Sequence, residues 1–217
     1  MKRITLLSIF LLFGTFATNA QKFHFGLKAA PGISWIKPDT KGLDNDGVKL
    51  GFSYGIITEF AFNKNENYAL ATGLEVAYRG GKLSQLDTSI ANGVIQIVNR
   101  KTKYSLQYLE LPITLKMKTN EIGAFKYFGQ FGLVPALNIK ATVKDDTDGN
   151  LFADGSKSDI NSISASLLIA LGLEYNLVGN TSMVVSIGFN NGLVDFLDNK
   201  DKKAISNLIS LNVGVLF

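Results

Sequence analysis

The chain contains no cysteine, which removes disulfide frameworks, thiolate metal sites, a cysteine nucleophile and a lipid-modified cysteine together. Histidine is nearly as scarce. With His24 alone, a histidine-based metal centre lacks its ligands, and no cofactor is expected. Beyond residue 20 no stretch approaches the roughly 20 continuous apolar residues that a spanning helix needs, so an α-helical membrane protein is excluded. An excess of one charge is missing as well, with 22 basic against 18 acidic residues. No basic stripe with interleaved aromatics is present, and nucleic-acid binding has no support.

What is present begins with an export signal. Lys2 and Arg3 precede an apolar run from Ile4 to Phe16, and small polar residues end at Ala20 before Gln21. Residues 1–20 read as a secretory signal peptide cut after Ala20, and 21–217 as one domain. Losing Lys2 and Arg3 leaves 20 basic residues against 18 acidic ones, a balance that favours no particular partner.

The stretch "YLELPITLKMK" (108–118) then sets the pattern, with Leu109, Leu111, Ile113, Leu115 and Met117 on one side and Glu110, Thr114, Lys116 and Lys118 on the other. Side chains alternate along a strand, so this is a strand with one wholly apolar face. Seven further segments repeat it, at 23–36, 48–62, 68–79, 124–141, 163–175, 182–190 and 204–217. The connections 63–67, 119–123 and 176–180 are short, whereas 37–47, 80–103, 142–162 and 191–203 are long. Short turns on one rim and long loops on the other predict an all-β, eight-stranded antiparallel up-and-down barrel.

The second face decides which side meets lipid. Around 206–216 it reads Ser206, Leu208, Ser210, Asn212, Gly214 and Leu216, and around 51–61 Gly51, Ser53, Gly55, Ile57, Glu59 and Ala61. Water would demand many charges there; small residues instead fit the crowded interior of a narrow barrel, leaving the apolar stripe to face acyl chains. Phe23, Phe60, Phe62, Tyr68, Phe125, Tyr127, Tyr175 and Phe217 gather at the short-turn rim as one aromatic girdle, with Trp35, Tyr78 and either Tyr104 or Tyr108 towards the other. Pro112 has no N–H to give the ladder and predicts a bulge or local bend.

"FGLKAAPGISWI" after a signal ending in "NAQ", with "YLELPITLK", "GLEY" and the closing "LNVGVLF", resembles the PorT-like, porin-like outer-membrane β-barrel family of Bacteroidetes. That resemblance implies an integral outer-membrane protein, and for some members a part in a protein-secretion apparatus; a final aromatic such as Phe217 also looks like the signal read by barrel-insertion machinery.

Within the expected lumen the charged residues are Lys28, Glu59, Glu75, Glu110, Lys116, Lys126 and Glu174, with Arg79 and Lys140 nearer the long loops. Mixed signs predict an ion-pair network that fills the interior and leaves no diffusion pore. His24 could join Ser182 and Glu174 in a triad only at the short-turn rim, and no enzyme is expected. The acidic stretches 44–47 and 145–150 read as solvated turns, and the second departs from a calcium loop, since Lys144 stands at the first ligand position and no glutamate follows at the twelfth. Asn92-Gly93 between β-prone runs marks a hairpin tip above the membrane, so Val94, Ile95, Ile97 and Val98 are a loop patch that either meets a partner or packs on other loops. The functional expectation is a monomeric, lipid-embedded scaffold or binding protein acting through its external loops; the alternatives are an accessory component of a secretion or envelope-assembly complex, which the family resemblance implies, and then a small pore or lipid-modifying enzyme. Envelope or secretion proteins are the candidate partners.

Overall fold

The computed structural model describes residues 22–62, 65–91, 94–147, 159–177, 179–198 and 202–217; of Ser89, Ile90, Ala91 and Val94 it describes the backbone alone. The expected signal peptide and the hairpin tip at 92–93 lie outside these residues.

The described residues form ten antiparallel strands: β1 (Phe23–Pro38), β2 (Leu43–Gly47), β3 (Lys49–Ala61), β4 (Tyr68–Ala91), β5 (Val94–Glu110), β6 (Ile113–Lys118), β7 (Phe125–Asp145), β8 (Ile163–Asn176), β9 (Ser182–Gly192) and β10 (Ala204–Leu216). The pairing path runs β4-β3-β1-β10-β9-β8-β7-β5, and β5 pairs again with β4. The expected second strand is preceded by a separate one, β2, in the stretch expected to be a connection, and the expected fourth is split into β5 and β6. Above β3, β2 carries the pairing with β4 onward, with a register shift between Asn45 and Gly47. The turn expected at 44–47 is thus a strand, steadied by Asn45, whose side chain donates to Ile36 O and accepts from Gly47 N.

β5 and β6 share the place between β4 and β7, separated at Leu111 and Pro112. The expected bulge does not occur there. Glu75 faces Glu110 and Thr72 faces Ile113, three residues on in each strand, so the register crosses the gap unchanged. Pro112 simply omits a ladder bond, while Leu111 N still donates to Pro135 O at 3.0 Å. The actual slip on this strand lies between Gln107 and Tyr108, against β7.

Orientation follows the alternation. Leu27, Leu50, Ile56, Leu133, Leu171 and Ile187 are exposed on the outer face, whereas Ala71, Ala77, Ser53, Ser166 and Ala170 are buried on the inner one. The short-turn rim carries close ring pairs, Phe23–Phe60 at 5.2 Å, Phe25–Phe217 at 5.5 Å and Phe125–Tyr175 at 5.0 Å. Near the other rim Trp35 stacks on Phe189, and Tyr54 on Tyr78. Tyr104 and Tyr108 do not join them: Tyr108 is buried inside and Tyr104 packs edge-on against Phe196. From Tyr68 to Tyr78 a tilted strand climbs about 25 Å, the height of an outer-membrane apolar band.

Candidate functional site

Inside the band, opposite charges interlock. Lys28 Nζ lies 2.7 Å from Glu75 and Arg79 2.7 Å from Glu110. Lys116 bridges Glu59 and Glu174, and Lys118 reaches the same two carboxylates at 2.6 and 3.1 Å. Among the described residues four cations therefore meet four carboxylates, all but Lys28 almost fully buried, and these charges cancel. Register explains the pairing. Glu75 and Glu110 stand directly opposite each other, an unfavourable match that Lys28 and Arg79 relieve from either side.

Glycines make the reach possible. Lys28 faces Gly55, which faces Glu75; a Cβ at Gly55 would stand 2.7 Å from Glu75 Cα. At Gly172 a Cβ would meet Phe128 Cζ at 2.6 Å, and the Phe128 ring supports Lys116 Nζ 4.0 Å from its centroid. The space remaining between Glu59, Glu75, Lys116 and Phe128 is a cavity of about 50 Å³, room for a few waters.

Six of the seven expected lumen residues, Lys28, Glu59, Glu75, Glu110, Lys116 and Glu174, fall into this network. Lys126 does not. It pairs in the backbone ladder with Glu174, but its charge acts on Glu66 at the rim. Lys118 takes the place expected for Lys126, and Arg79, inside and nearer the long loops as expected, joins through Glu110. Alternation had placed Lys118 on the inner face; that its long side chain runs inward from the strand end is visible only in three dimensions.

The rim has its own cluster. Glu66, in the short turn before β4, pairs with Lys22 and stands 3.3 Å from His24 Nε2. Burial pushes the Glu66 carboxyl up, but the Lys22 hydrogen bond and charge, with His24 and Lys126, outweigh it and hold it below the usual range. The triad considered for His24 is not assembled, because Ser182 Oγ bonds Asn176 Oδ1 and Glu174 is held by the two lysines.

Past Arg79 the pattern inverts. Ile36, Leu83, Leu106, Val143, Ile160 and Phe196 pack together inside as a buried apolar cluster. Asn161 ties the loops over it, donating to Asp195 O and Leu197 O at 2.9 and 3.1 Å. A cavity of about 160 Å³ lies beside this cap, between Leu83, Arg100, Tyr104 and Leu197. The inward parity of Leu83 and Val143 was available in sequence, but 80–103 and 142–162 read there as loops.

The expected hairpin is present: β4 and β5 stay paired out to Ala91 and Val94. Ile95 and Ile97 are 71% and 77% exposed on its outer face beside Leu86 at 75%, so for these side chains packing on other loops does not occur. Val98 is half-buried and faces the opposite side, across from Asp87; nothing is described of the Val94 side chain.

Solved structures similar to this chain include Neisserial surface protein A, at 13% identity and TM-score 0.49 over 88% of this chain and 95% of that one. A major outer membrane protein from Thermus thermophilus follows at 14% and 0.45, covering 90% and 99%. The outer membrane protease OmpT of Escherichia coli is similar at 8% and 0.42, covering 92% and 97%. No curated protein sequence matches the chain. The family description "Outer membrane protein beta-barrel domain" matches residues 19–198. An antiparallel β-fold with its apolar stripe outward and its charges within belongs in lipid, and the chain is a member of the outer-membrane β-barrel domain family, integral to the outer membrane.

Proposed function

We propose that this protein is an eight-stave barrel without enzymatic or general pore activity, exported by a cleaved signal peptide, which holds a binding hairpin above the outer membrane. The observation that carries this reading is the outward apolar edge of β4–β5. Leu86, Ile95 and Ile97 stay exposed about 20 Å or more beyond the lipid-facing band, where no acyl chain covers them. The lumen below supports a scaffold rather than a conduit, since ion pairs fill it and an apolar cluster lies across its loop-side mouth. The partner chemistry that fits the edge is a protein surface of the envelope, and the resemblance to PorT-like barrels makes an accessory role in secretion the second reading.

Crosslinking in intact cells tests it. A chain lacking 83–100 should insert, retain heat-dependent gel mobility and lose its crosslinked partners; unchanged partners would remove the hairpin from the function. Stable large conductance steps in planar bilayers would overturn the filled lumen.

A further inference from the structure

The outer wall above the band carries an arrangement that a strand sheet ordinarily avoids. Lys82 on β4 is the register partner of Lys103 on β5, and Lys103 is the register partner of Lys144 on β7. Register partners share a face, so three ammonium groups stand in one row across three adjacent strands, and like charges directly opposite destabilise a sheet. Parity puts the row outside: Leu106, Tyr108 and Glu110 alternate with it on β5 and are buried within.

Its height is set by the same register. Tyr78, Gln107 and Lys140 form one row at the aromatic level, where Gln107 donates to the Tyr78 hydroxyl at 3.3 Å. The lysine row lies four residues further along each strand, about 10 Å higher, which is the headgroup layer. Between the two rows Lys49 passes over Gly80 and places Nζ 2.5 Å from Ser105 Oγ. Lys101 follows just above. Six lysines therefore share this patch, while the described acids on it are Asp146, 2.6 Å from Lys82, Asp46, 3.8 Å from Lys101, and Asp44, in one register row with Ser84 and Lys101. Among the described residues Lys103, Lys140 and Lys144 have no carboxylate within ion-pair distance.

We propose that this row is a binding site for phosphate groups carried by lipids of the outer leaflet. Several ammonium groups in line, at headgroup height and short of counter-charge, are matched by a phosphorylated glycolipid whose acyl chains lie along the apolar wall directly below. Bound phosphate would offset the repulsion that the register builds in. The proposal rests on the outer-membrane location and is independent of any partner of the hairpin.

Native mass spectrometry of the full mature chain released from micelles tests it, with diphosphorylated lipid A and its dephosphorylated form as probes. The phosphorylated lipid should be retained, the K82Q/K103Q/K144Q variant should lose retention by about tenfold or more, and K41Q, on an exposed loop lysine, should keep it. A second readout separates a lost site from a lost fold. In zwitterionic vesicles the triple variant should unfold at an equal or higher urea midpoint than wild type, and in lipid A vesicles at a lower one. Should the triple variant not insert, K103R/K144R should bind like wild type and K144Q less well. Equal retention of both lipids, or an unaffected triple variant, would overturn the site; displacement by inorganic phosphate at matching phosphate concentration would overturn the assignment to a lipid.

Discussion

The membrane band and the part of the sheet above it are the same strands built with opposite chemistry. Along β4, Leu74 and Tyr78 face out while Glu75 and Arg79 are buried within; a few residues later Leu83 is buried within and Lys82 faces out. The strand neither turns nor slips against β5 between these points. What changes is the solvent outside: hydrocarbon below demands a greasy exterior and tolerates a charged, fully paired interior, and water above reverses both preferences. One continuous ladder thus serves as a membrane protein in its lower half and resembles a soluble β-protein in its upper half.

The largest expected effect comes from unbalancing the lower interior. Lys116→Met should cost about 3–5 kcal/mol, because Glu59 and Glu174 stay buried with one cation fewer. Urea unfolding from lipid vesicles reads this, and adding Glu59→Gln should restore part of the loss. The apolar cap should answer to volume instead: Phe196→Ala, at a side chain only 1% exposed, should cost about 3–5 kcal/mol, with the upper end set by how far the loops relax. A cap that tolerated Phe196→Ala without loss would deny it a packed core.

The sharpest comparison uses one substitution at two sites. Leu171 and Leu86 are exposed to similar degrees, 70% and 75%. Leu171→Lys lies in the band and should cost about 2–4 kcal/mol, whereas Leu86→Lys should stay within about 0.5 kcal/mol. Equal costs in vesicles would erase the boundary between the two halves. The smallest effect belongs to the short-turn rim. Since the folded Glu66 carboxyl lies below its ordinary value near 4.5, its ion pairs add stability above that pH and lose it as pH falls through the folded value. Glu66→Gln should flatten the acid limb of unfolding in proportion, and an unchanged acid limb would remove Glu66 from it.

Much of the lower half was legible because its signal is local. Period-two alternation identifies the lipid stripe from residues such as Leu109, Leu111 and Ile113, and glycine and serine identify the lumen from positions such as Gly55 and Ser166. In the upper half the hairpin was legible from Asn92-Gly93, but its apolar interior was not, since the lipid criterion fails where the solvent changes and Leu83 and Val143 lie in stretches that read as loops. Reach is equally hidden: alternation assigns Lys118 and Lys126 to the same side, but only the packed lumen shows that Lys118 meets Glu59. The lysine row is the extreme case. Lys82, Lys103 and Lys144 are scattered along the chain, and register alone brings them into line.

The pairing of β1 with β10 also dictates an order of events. Gly26 finds its mate at Leu216, and Phe25 and Phe217 exchange backbone bonds at 3.3 and 2.7 Å, so β1 waits for the delivery of β10 before its outer hydrogen-bonding groups are satisfied. A chain arrested before Ala204 would offer unmatched donors and acceptors along both β1 and β9, an adhesive intermediate that other copies could extend. Completion of this sheet is accordingly a race between delivery of its final dozen residues and self-association of everything already delivered, and the cell must keep the unfinished chain apart from its siblings until that last stretch arrives.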